Sequence, residues 1–82
     1  MEKIIELYDE YLKAIEKKNN STFYTWEDYA RDLQKIASNL HSAYHTARKP
    51  SIRGIGRLVY NEVDKERLRA LQMTRDLTSL VD

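Results

Sequence analysis

The chain has no cysteine, so neither a disulfide framework nor a thiolate metal site is open to it. Small secreted domains ordinarily need such staples, and their absence favours a reducing, cytoplasmic setting. Glycine occurs twice and proline once, which leaves few points at which a helix must break. No apolar run approaches the roughly 20 residues that a bilayer-spanning helix requires, so no membrane insertion is expected. The opening Met1-Glu2-Lys3-Ile4-Ile5-Glu6 puts acids where a signal peptide would be basic, and no uninterrupted apolar stretch follows. Internal repeats and low-complexity tracts are missing as well. What remains is 82 residues, a third of them charged, in a single expected domain over 1–82. A chain this short hides only about 60–65% of the surface its unfolded form exposes, too thin a core to enclose a deep substrate cleft.

Periodicity points to an all-α fold, a small antiparallel bundle of three long helices. In the first, expected over Glu2 to Lys18, Ile4, Ile5, Leu7, Tyr8, Tyr11, Leu12 and Ile15 share one face, and Glu2, Glu6, Asp9, Glu10, Lys13, Glu16 and Lys17 lie opposite. Lys18-Asn19-Asn20-Ser21-Thr22 is polar and turn-prone. Thr25-Trp26-Glu27-Asp28 resembles a capping box with Asp in place of Glu, and opens a second helix. Its apolar face runs from Trp26, Tyr29, Ala30 and Leu33 through Ile36, Ala37, Leu40, Ala43, Tyr44 and Ala47. Pro50 disfavours helical geometry in the residue before it, so this helix is expected to reach Arg48 or Lys49.

Ser51 is a fair cap for a third helix extending to about Val81. Within it Ile52, Val59, Met73 and Leu80 recur at multiples of seven, and Gly56, Val63, Ala70 and Leu77 recur four residues out of phase. Glu66 breaks that stripe, while Leu68 and Leu71 fall on the opposite side. One long helix, straight or kinked, fits the stripe, and a break between Asn61 and Asp64, with Asp64 capping a fourth helix, is the alternative; three long helices are the expectation. Phe23, Tyr24 and Tyr60 are the aromatic residues expected to remain partly exposed.

A catalytic apparatus is not legible. There is no Gly-x-Ser-x-Gly elbow and no phosphate-cradling loop ending in Lys-Ser or Lys-Thr. Gly54-Ile55-Gly56 begins like a dinucleotide fingerprint, but Val59 holds the third glycine's place; close helix packing or a loose first turn explains the pair better. His41 and His45 are one helical turn apart and could share a metal, yet position 42 is Ser and no acid lies within a turn of either. They read as two surface histidines, and neither metal nor other cofactor is expected. The chain is expected not to be an enzyme.

Charge is the uneven feature. From Leu33 to Asn61 there is no Asp or Glu, while Lys35, Arg48, Lys49, Arg53 and Arg57 are all positive. Residues 1–42 carry six basic and eight acidic groups, and residues 43–82 carry eight and five. The polar face of the second helix changes from Glu27, Asp28, Arg31 and Asp32 to Ser38, Asn39, Ser42, His45 and Thr46. Short polar groups are easily desolvated, and interface centres are depleted of Lys and Glu. Lys35, Ser38, Ser42, His45, Arg48, Lys49, Arg53 and Arg57 are thus the candidate partner-binding residues.

Guanidinium forks pair with carboxylates and phosphates alike. The segment from Ser51 to Val59, followed by Lys65 to Leu71, loosely resembles a helix-turn-helix, with Gly56 at its small-residue position. That resemblance implies DNA binding, but Tyr60-Asn61-Glu62-Val63-Asp64 is too long for the turn and lacks its glycine. A net charge of +1 and a pI of about 8.0 are also low for a dedicated DNA-binding domain. The expected function is a non-enzymatic binding protein that contacts an acidic protein surface stoichiometrically. Inhibitors, immunity proteins and small regulators of bacteria or mobile elements have this size and architecture, an analogy of fold and not a family match. A nucleic-acid-binding regulator using the same basic segment is the alternative. A homodimer that buries Leu68 and Leu71 is a further one.

Overall fold

The computed structural model describes residues 1–81, with side chains described as far as Leu77. Three α-helices account for almost all of it: α1 (Glu2–Asn20), α2 (Trp26–His45) and α3 (Pro50–Val81). There is no strand among the described residues. The helices form an elongated bundle 49 Å long, the length expected of the 32-residue α3 at 1.5 Å per residue. Helix α2 packs antiparallel along α3, and α1 lies mainly on α2.

Each boundary has a local cause. Helix α1 runs two residues beyond its expected end, and the Ser21 N–H closes it on the Lys17 carbonyl at 2.9 Å. Thr25 caps α2 as its sequence indicates, its hydroxyl oxygen accepting a bond from the Asp28 N–H at 3.0 Å. The far end of α2 corrects the expectation of Arg48 or Lys49. The helix stops at His45, where the Thr46 hydroxyl turns back to donate to the Ser42 carbonyl at 2.9 Å. That bond competes with continuation of the backbone ladder. Helix α3 starts at Pro50 and not after Ser51. The Ile52 and Arg53 N–H groups both reach the Lys49 carbonyl at 3.1 Å, and proline occupies the first helical position, where its missing N–H costs nothing.

The third helix is unbroken across Asn61–Asp64, so neither the split nor the helix-turn-helix resemblance survives. The awkward Glu66 is half-buried and bonded to Arg69 at 2.7 Å, which lets a charged side chain remain in the stripe.

The core is built from Ile4, Leu7, Tyr11 and Ala14 of α1, the buried run from Tyr29 to Leu40 of α2, and Val63 and Ala70 of α3. Gly56 is also buried at the crossing of all three helices. A Cβ there would overlap Tyr44 Cβ and lie 2.9 Å from Ile4 Cδ1, so glycine is what lets α2 and α3 approach. Gly54, one residue pair away, faces open space. Of the heptad positions, Leu77 is 48% exposed, and the side chain of Leu80 lies outside the described residues.

Two stripe residues of α1, Ile5 and Leu12, are exposed and not packed. Among the aromatics, Phe23 is exposed and Tyr60 half-buried, but Tyr24 is buried, contrary to expectation. Its phenol donates to the Asp32 carboxylate, and Lys17 Nζ sits 4.5 Å from its ring centre. Burial, followed by that bond to Asp32, raises the Tyr24 phenol above its ordinary value. Burial, with Glu62 and Glu66 alongside, pushes Tyr11 up to about 12, and burial with Glu66 alongside raises Tyr29. Trp26 is covered by Lys18 Nζ at 4.4 Å and by the Arg69 guanidinium at 5.3 Å. No helix among the described residues is long and apolar enough to cross a membrane.

Candidate partner-binding site

The α2–α3 hairpin brings the mid-chain basic residues together at one end of the bundle. An open cavity of about 760 Å³ lies between the last turn of α2 and the first two turns of α3. It is lined by His41, Tyr44 and His45 on one side and by Pro50, Arg53, Gly54 and Arg57 on the other.

Helical spacing sets this arrangement. Arg53 and Arg57 are one turn apart, so their guanidinium groups stand side by side on α3. His41 and His45 are likewise one turn apart on α2, and their rings stack with centres 5.3 Å apart and planes 13° from parallel. Tyr44 packs edge-on to His41 at 5.3 Å, and Tyr60 closes the cluster at 5.8 Å from both rings. The open space beside Gly54 adds to the cleft, because no side chain projects there.

No carboxylate lines this cleft among the described residues. Arg53 and Arg57 enter no ion pair among the described residues, in contrast to Arg31, Arg67 and Arg69. The first turn of α3 contains no acidic residue, so the positive end of its dipole is also uncompensated. Arg48 and Lys49 are exposed in the turn between the two helices. The chemistry on offer is therefore anion binding by several hydrogen-bond donors from two rigid elements.

The other candidate residues are distributed differently. Ser38 lines a smaller cavity of about 320 Å³, with Gln34, Ala37, His41, Tyr60, Asp64 and Arg67, so it adjoins the basic cleft through His41. Asp64 in that cavity is held by Arg67 at 2.7 Å. Ser42 is exposed, and its carbonyl receives Thr46. Lys35 is separate. It lines a cavity with Glu10, Lys13, Lys17, Tyr24 and Asp32, on the α1 side of α2, and shares nothing with the arginines of α3. Conversely His41 and Tyr44, which charge counting did not select, are part of the cleft wall. Their position one turn and one residue before His45 was the available signal.

Comparison with protein-family models, curated proteins and solved structures returns no match. The site thus stands on its own geometry. Among the described residues, no group of three or more His, Cys, Asp or Glu side chains is placed to hold a metal ion. His41 and His45 face arginines across the cleft, and cations on that side disfavour a bound metal ion.

Proposed function

We propose that this chain is a non-enzymatic binding protein that grips an acidic protein surface through the cleft between α2 and α3. One observation carries the reading: Arg53 and Arg57 converge on one cavity beside two histidine rings, with no carboxylate among the described residues that line it. In a protein of net charge +1, that concentration of one sign at one end is a recognition feature and not a bulk property.

Side-by-side guanidinium groups suit carboxylates, which they bind bidentately, and Tyr44 and Tyr60 add apolar area that a polypeptide can cover. A nucleic-acid duplex fits less well. It needs positive charge distributed along an extended surface, whereas α1 displays Glu6, Asp9, Glu10 and Glu16 to solvent. An inhibitor, immunity protein or small regulator acts by this kind of stoichiometric contact.

Reversal of both arginines, Arg53→Glu with Arg57→Glu, tests the site. Both residues are exposed, so helicity should survive while binding of a carboxylate-rich peptide is lost. Undiminished binding by a folded double variant would refute the reading.

A further inference from the structure

The two histidines give the basic cleft a titratable element. His41 and His45 are both exposed, and their rings stack one turn apart on α2 with centres 5.3 Å apart. Across the cavity Arg53 and Arg57 rise from α3, and Arg48 and Lys49 are exposed in the turn that joins the helices. Tyr44 packs edge-on to both histidines, and Tyr60 lies against His41. One acid adjoins the pair: Asp64 shares the smaller cavity with His41, and Arg67 already holds its carboxylate at 2.7 Å. Among the described residues, no titratable side chain of α1 lines either cavity. The charged groups that line the two cavities outside the Asp64–Arg67 pair are therefore cations alone.

We infer, resting on the acidic-partner reading of the cleft, that binding there is proton-linked: the stacked histidine pair takes up a proton as the partner docks, and affinity rises as pH falls from about 8 to about 6. Histidine is the side chain whose charge changes in this range. A docked carboxylate supplies the negative charge that the cleft lacks, and it interacts more favourably with an imidazolium than with a neutral imidazole. Linkage fixes the sign. Whatever favours the charged ring in the complex makes the complex take up protons, and falling pH then strengthens it. The stacking limits the amount. Two imidazolium ions at 5.3 Å repel each other, so the pair binds one proton in preference to two, and its titration belongs to the pair and not to either ring. The arginines stay charged throughout and supply the affinity that remains at the alkaline end.

Fluorescence anisotropy of a labelled Asp-rich peptide, whose carboxylates stay ionised from about pH 6 to 8, reads the linkage at constant ionic strength. Wild-type protein should bind about five times more tightly at pH 6 than at pH 8, within the roughly tenfold that one pKa unit of differential stabilisation supplies. Log affinity against pH should be no steeper than about one, the slope of a single proton. His41→Gln with His45→Gln keeps polar side chains at two exposed positions and removes the titration. Its affinity should be level across the range, with unchanged circular dichroism. Wild-type binding that is saturable but level with pH overturns the inference and leaves the acidic-partner reading standing. A pH dependence that persists in the folded histidine variant, or a slope near two, overturns it as well. No binding of the peptide by wild type at any pH in the range overturns both.

Discussion

Replacing each glycine of α3 by alanine should give opposite results, although the two positions are two residues apart in one helix. Both have ordinary helical backbone, with no positive φ, so alanine relieves the entropic cost of glycine equally at each. That gain is about 0.5–1 kcal/mol. At Gly54 nothing lies within 4 Å of the new methyl, and the gain is the whole effect. At Gly56 the methyl overlaps Tyr44 Cβ, an atom fixed to the α2 backbone that no rotamer change can move. Relief requires α2 and α3 to separate, and Ile4 Cδ1 at 2.9 Å blocks the other direction. Overpacking of this kind costs about 1–3 kcal/mol, which outweighs the helical gain.

The expected outcome is Gly54→Ala more stable than wild type and Gly56→Ala less stable, by about 2 kcal/mol between them. In a domain of this size each kcal/mol moves Tm by roughly 4–8 °C. Urea denaturation followed by helical circular dichroism and Trp26 fluorescence, at one fixed protein concentration, measures the difference. A Gly56→Ala protein as stable as Gly54→Ala would refute the close approach of α2 and α3.

Two further perturbations follow. Thr25→Ala removes the acceptor for the Asp28 N–H and should lower stability by about 1 kcal/mol, measured by the same denaturation; no loss would show the cap to be idle. Alkaline pH should also destabilise the fold. The raised phenols of Tyr11, Tyr24 and Tyr29 hold their protons in the folded state above the pH at which the unfolded chain releases them. Their contribution is complete below about pH 10, the ordinary phenol value, and is lost as pH rises through the folded-state value, about 12 for Tyr11. Unfolding midpoints that stay constant from pH 9 to 12 would contradict this.

The fold was largely legible because helical periodicity locates the centre of an apolar stripe. The central positions of α2 that it selects, from Tyr29 to Leu40, are all buried. Periodicity does not fix the width of the stripe, so Ile5 and Leu12 were grouped with Ile4 and Leu7 although α3 does not cover them. Nor does it reveal local competition, such as the Thr46 hydroxyl that ends α2 or the Asp32 carboxylate that gives the Tyr24 phenol a buried partner. In the candidate site, a count of charge along the chain found Arg53 and Arg57, and the short polar face of the second helix supplied His45. The same count included Lys35 because it ignores rotation about the helix axis, and Lys35 projects towards α1. It omitted His41 and Tyr44, whose part in the cleft depends on how α3 docks.

The most direct test of the proposed function is fluorescence anisotropy at physiological salt. Labelled duplex DNA, single-stranded RNA and a carboxylate-rich peptide are each titrated with wild-type protein and with the Arg53→Glu/Arg57→Glu variant. The proposed function predicts saturable binding of the peptide, abolished in the folded variant, and no comparable binding of either nucleic acid. Preferential binding of DNA or RNA that falls steeply with added salt would contradict it, and would make Arg53 and Arg57 phosphate contacts instead.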